Sequence, residues 1–242
     1  MRRPQAGGFL ARHDLTLSSG LALARRLYER FKPLFPFLAM FSGVALLIHI
    51  IAGISLAFGL ALTTLAMVGG LTFVLVVSTP DERRRIVRTI AVAAGAGFLA
   101  TLTYGVSKTL LSQLDPSPYN PFEAIRIFGT LIAGTNAPVG AIWAAGVAFH
   151  LLNGTAFGIA YTFLFARGGN TSWARALATG VGWGVFLETF QLTLYPGWLD
   201  IRFYAEFATI SALGHLVYGA ALGGLARTLL RATDPQRKMA AP

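Results

Sequence analysis

Residues 33–80 form a run of 48 without one charged side chain. At 1.5 Å per residue, one helix of that length would be about twice as long as a bilayer core is thick, so the run must fold back. The turn is expected between Gly53 and Gly59, giving spans near 35–53 and 58–78. Asp81-Glu82-Arg83-Arg84-Arg85 reads as a charged loop, and apolar stretches near 86–111, 139–165, 173–195 and 203–226 read as four further spans. Between the third and fourth, Asp115, Pro116, Pro118, Asn120 and Pro121 read as loop. Residues 127–133 are apolar but too few to cross, so a surface or re-entrant segment is expected there. The pattern predicts an all-α polytopic membrane protein with six transmembrane helices.

Ahead of these spans, residues 19–32 place Leu21, Ala24, Tyr28 and Phe31 on one helical face and Arg25, Arg26, Glu29 and Arg30 on the other. Such a helix either lies flat on an anionic membrane surface or extends the first span with snorkelling side chains. The chain thus divides into a basic tail with an amphipathic helix (1–32) and a transmembrane domain (33–242).

Composition agrees with this division. Of 242 residues 55% are hydrophobic and 12% charged, about half the charged share of a soluble protein. The net charge of +10 follows orientation rather than nucleic acid. With the N-terminus inside, 17 of the 20 basic residues fall on the cytoplasmic side, and the acids split five and five. The expected location is a bacterial inner membrane with both termini cytoplasmic. Arg2, Arg3 and Arg12 precede no short apolar core with a cleavage site, so a cleaved signal peptide is not expected. The absence of cysteine excludes disulfides, thiolate nucleophiles and cysteine-ligated clusters.

The spans also repeat. His150, Gly154 and Gly158 in the fourth match His215, Gly219 and Gly223 in the sixth, each at intervals of four. Before them, Arg88 is followed by Gly95 and Gly97, and Arg175 by Gly182 and Gly184, at the same spacing. Units near 86–167 and 173–231 therefore read as a duplicated helical hairpin in parallel orientation. Residues four apart share a helix face, so each motif is a stripe of histidine above two glycines. Small residues in such stripes serve helix packing, because lipid supplies no hydrophobic drive between helices. The alternative use is a haem b or metal held by His150 and His215, since imidazole ligates iron and glycine permits close approach. No attachment motif accompanies the histidines, and no cofactor is predicted. His49, followed by Gly53, echoes the spacing in the first hairpin.

Over about 87–230 the chain resembles uncharacterised small bacterial multi-pass membrane proteins. The residues behind this are Gly97-Phe98-Leu99-Ala100-Thr101, Asn120-Pro121, His150 with Gly154, Gly158 and Tyr161, and Gly214-His215-Leu216-Val217-Tyr218-Gly219. The resemblance implies topology and supplies no activity or catalytic residues.

Charged residues inside spans are costly and point to function by default. Glu188 is the clearest, with Gln191 and Tyr195 on its face, and Lys108 and Arg202 are its expected partners. Lys108, near the end of its helix, is expected to snorkel. Arg202 and Glu206, one turn apart, are expected to pair. With Glu123 and Arg126 these groups form a polar-pocket candidate at one end of the bundle: Lys108, Glu123, Arg126, Glu188, Gln191, Arg202 and Glu206.

No phosphate loop, dinucleotide fingerprint, zinc-protease motif or recognisable triad occurs, so catalysis has no support. Asn153-Gly154-Thr155 has the form of a glycosylation acceptor but lies inside a span. Three classes remain. A non-enzymatic subunit or scaffold, with lipid and other membrane subunits or its own copies as partners, makes the fewest demands. A small-solute or lipid transporter is favoured by Glu188 and the repeat, and a haem or metal protein by the histidines alone.

Overall fold

The computed structural model describes residues 20, 22–115, 119–166, 171–194 and 201–234. All regular elements among them are helical: α1 (Ala22–Ala52), α2 (Leu56–Val77), α3 (Pro80–Ser112), α4 (Glu123–Ala133), α5 (Val139–Phe165), α6 (Trp173–Leu194) and α7 (Tyr204–Ala232). Helices α1, α2, α3, α5 and α7 are long and apolar enough to cross a membrane. Their outer faces carry many exposed large apolar side chains, among them Leu62, Leu65, Val76, Val106 and Leu152. A water-facing surface would not be built this way, and the exposure fits a multi-pass protein in contact with lipid. Helix α6 matches α2 at 22 residues but carries Arg175, Glu188 and Gln191.

The amphipathic segment runs on without a break into the first span, the second of the two arrangements expected from its pattern. Lys32–Met40 tightens to a 3-10 helix, since Pro33 and Pro36 lack the N–H groups that α-helical bonding needs. Gly53 then ends α1 at φ +68°, a left-handed cap whose N–H bonds His49 O. The His49–Gly53 spacing therefore makes a turn, not a packing stripe. Arg25 pins the start of α1 to the next corner. It reaches Val77 O at 2.7 Å and Glu82 Oε2 at 2.8 Å. Glu82 also completes a capping box with Thr79 at the head of α3.

Helix α3 packs along both α5 and α7, and α6 packs along α7. Glycine decides how close they come. A methyl group on Gly97 would lie 2.9 Å from Gly154 O and 3.0 Å from Gly158 Cα. On the other pair, Gly180 faces the Gly219 backbone and Gly223, while Gly184 faces the His215 backbone and Gly219. The predicted packing glycines Gly154, Gly158, Gly219 and Gly223 thus all lie in helix crossings. The crossings are offset: Gly97 meets the two glycines of its partner, and Gly184 meets the histidine and the first glycine. Helix α5 meets α6 only slightly, whereas α3 runs against α7, so contacts between the hairpins are not symmetric.

The segment predicted as too short to cross is α4, which lies against α5 where Gly129 faces the Ile142 carbonyl and Gly146 the Ile125 carbonyl. Its Ile125 and Phe128 are buried against the bundle.

Gly95 and Gly182 share the repeat spacing but meet open space. Gly184→Ala is therefore expected to lower stability by about 1–3 kcal/mol through backbone overlap. Gly182→Ala is expected to be neutral or to gain up to ~1 kcal/mol of helix propensity. Thermal unfolding in detergent compares them, and equal midpoints would contradict the packing described.

Candidate functional site

Three helices each carry a polar stripe on the face that the glycine crossings turn inward. On α3 it runs Gly97, Thr101, Tyr104, Lys108; on α6, Gly184, Glu188, Gln191; on α7, Ser211, His215, Tyr218. Steps of three and four residues keep each stripe on one side of its helix. Gly214 of α7 lets the stripes meet, since a methyl group there would lie 2.9 Å from Tyr104 Cε2 and 3.1 Å from Lys108 Cγ.

Ser211 is the hub. Its hydroxyl donates to Glu188 Oε2 at 3.0 Å and accepts from Gln191 Nε2 at 2.9 Å. Tyr104 Oη lies 3.4 Å from the same oxygen and is left to donate, because a serine hydroxyl has one proton and two lone pairs. His215 Nδ1 lies 2.7 Å from Glu188 Oε2 and 3.0 Å from Ser211 O. A carbonyl only accepts, so Nδ1 carries a proton and Nε2 is the ring nitrogen left for other partners. Ser211 and His215 thus meet at one carboxylate oxygen, and Gln191 and Tyr104 donate to Ser211 behind it. Glu188 is 4% exposed, and its Oε1 is buried with no hydrogen-bond partner among the described residues.

A cavity of about 100 Å³ adjoins this network. His215, Gln191 and Tyr104 line it from the network side, joined by Lys108, His150, Asn153 and Tyr218, while Glu188 stands behind them. Tyr218 Oη donates to Gly154 O at 2.9 Å, and Ser42 Oγ donates to Asn153 Oδ1 at 2.7 Å. Asn153 thereby ties α5 to α1, which accounts for the glycosylation-like triplet as a packing feature.

Lys108 departs from expectation. It does not snorkel; it is 3% exposed. Its Nζ sits 4.6 Å from the Phe207 ring centroid, 5.3 Å from Tyr104 and 5.9 Å from Phe122, an aromatic cage. No carboxylate lies within ion-pair distance of it among the described residues, and Glu188 acts on it only from farther off. The expected partnership of Glu188 with Lys108 and Arg202 is thus replaced by one with His215 and Ser211. The sequence missed this because His215 read as the head of a packing stripe with Gly219 and Gly223.

The remaining candidates lie apart from the cavity. Glu123 and Arg126 pair with each other on α4, with Arg126 exposed. Arg202 lies over the Phe203 ring at 5.3 Å, and no ion pair joins it to Glu206 among the described residues. One polar cluster was expected, and the helices divide it into a buried part and a surface part. Tyr195 lies outside the described residues.

His150 and His215 do approach one surface. Their rings lie 5.4 and 4.9 Å from the Tyr104 ring centroid. Among the described residues no three histidine, aspartate or glutamate side chains gather where they could hold a metal. Ser211, Tyr104, Asn153 and the aromatic cage were not singled out from the sequence. The three- and four-residue spacing of polar side chains on α3, α6 and α7 is the signal that could have found most of them.

Comparison with known protein families, with characterised proteins and with solved structures finds no match.

Proposed function

We propose that this chain is a six-span membrane protein that binds a small anion within the bilayer, as a carrier or channel. The observation that carries the reading is Lys108: a buried ammonium at a cavity, with no carboxylate in reach among the described residues. An unpaired buried charge costs several kcal/mol. The aromatic cage offsets part of that, at ~0.5–2 kcal/mol per ring. An anion in the cavity would supply the rest. About 100 Å³ is the share of roughly three waters, which suits a small carboxylate or an inorganic ion. His215, with its proton held on Nδ1 by Glu188, leaves Nε2 free of that network on the cavity side.

This reading departs from the scaffold that the sequence favoured, because a scaffold gives the cavity charges no use. A haem between the histidines gains support only from their shared contact with Tyr104, and the cavity is small for a macrocycle.

Six spans are supported by the way the helix ends meet. Arg88, near the start of α3, donates to Thr233 O at the end of α7 at 3.1 Å. Ala166, after α5, lines the same groove as Leu230. The ends of α5 and α7 thus lie on one side, which favours α6 as a crossing between them. The matched hairpins support an ancestral duplication whose crossings have since slipped. The basic residues support a cytoplasmic face at the start of α3 and the end of α7, in a bacterial inner membrane. The cysteine-free sequence permits a direct check. A cysteine at Asn136 should be labelled by an impermeant maleimide in intact cells and one at Arg84 only after lysis. The reverse pattern would invert the orientation.

Binding is tested by thermal unfolding of the purified protein with acetate, formate, nitrate and phosphate at constant ionic strength. At least one anion is expected to raise the midpoint in a saturable way, by the mass action of binding to the folded state. Lys108→Met, which fills a similar volume, should fold and lose that response. A wild-type response to none of them, or the same response in Lys108→Met, would refute the proposal.

A further inference from the structure

We propose that the groove between α1, α2 and the rest of the bundle holds one acyl chain of an anionic phospholipid, with the lipid phosphate against Arg85 and Arg88. This inference is independent of the anion site, which lies elsewhere and shares none of these residues. The groove measures about 630 Å³. A methylene takes up about as much room as a water, ~30 Å³, so the space suits a chain of up to about 20 carbons. Along α5 it extends from Leu152 to Ala166. Fourteen residues of helix span roughly 21 Å, enough for the ~15 Å hydrocarbon depth of one leaflet. Its walls are apolar, with Leu38, Leu71, Ile90 and Phe163 among them.

The polar end selects the headgroup. Lys32, Arg85 and Arg88 line the groove where α1 and α3 begin, against one carboxylate, Asp234. Lys32 is shared with Glu29 at 3.5 Å and Glu82 at 3.6 Å. Arg85 makes no ion pair among the described residues and is exposed. Arg88 spends Nη1 on Thr233 O, but its Nε is buried and has no hydrogen-bond partner among the described residues. A buried guanidinium N–H beside an apolar groove calls for an acceptor, and a phosphodiester oxygen is the acceptor a membrane provides. The excess of cations favours an anionic headgroup over a zwitterionic one.

The test is native mass spectrometry of the protein released from lipid discs of equal phosphatidylglycerol and phosphatidylethanolamine. One retained phosphatidylglycerol is expected, enriched roughly tenfold or more over phosphatidylethanolamine, whose ammonium adds a cation beside Arg85 and Arg88 and cancels the headgroup's net charge. Arg85→Gln/Arg88→Gln should abolish the preference, and Ile159→Trp, which fills the groove, should abolish retention. Should the double variant fail to fold, Arg85→Gln alone and Ile159→Trp still decide the matter. Equal retention of both lipids, retention unaffected by Ile159→Trp, a lipid-free dimer, or stabilisation by inorganic phosphate equal to that by the lipid would each overturn the proposal.

Discussion

Lipid offers helices neither a hydrophobic reason to associate nor a partner for a buried polar group, and this fold answers both demands through close backbone approach. Gly97 against Gly154 and Gly158, and Gly180 and Gly184 against α7, bring main chains nearly into contact. Once the axes are this near, the polar stripes of α3, α6 and α7 have only one another to face. The site follows from the packing: a bulkier α7 at Gly214 would hold Tyr104 and Lys108 away from Ser211 and His215.

The site divides its charges unequally. Ser211 and His215 both meet Glu188 Oε2, with Gln191 and Tyr104 donating to Ser211, so Glu188 has close polar partners on one of its two oxygens. No ion pair among the described residues does the same for Lys108, which lies over aromatic rings. Proteins keep such an imbalance where function needs it, since an apolar residue of similar volume would be no less stable. At the opposite end of the bundle the apolar groove poses a related demand, with Arg88 Nε buried and without an acceptor among the described residues.

Helix positions were largely legible because length and hydropathy act locally, but Asp81–Arg85, read as a charged loop, form the first turns of α3, where the Thr79–Glu82 capping box starts the helix ahead of the apolar run. The turn near Gly53, the short α4 and the limits of α5 all lie where the apolar runs and the Gly and Pro positions place them. The small-residue stripes were legible for the same reason. Partner choice was not, because it depends on rotation and register between helices distant in sequence. Lys108 is four residues from the end of α3, close enough to water to snorkel, and only the notch at Gly214 explains why it turns inward. Likewise the Glu188–His215 pair spans 27 positions, and nothing in either stripe reveals that the two faces oppose. Gly95 and Gly182 carry the opposite lesson: they share the repeat spacing yet touch nothing, so spacing without register overcounts the packing residues.

On the proposed reading, Lys108 is held inside the bundle because an anion joins it there. Anomalous diffraction from crystals soaked in bromide tests this most directly. A bromide peak is expected in the cavity within about 3–4 Å of Lys108 Nζ, as an ion pair requires, and its loss in crystals of the Lys108→Met variant. An empty cavity at saturating bromide, or Lys108 extended to the membrane surface, would contradict it.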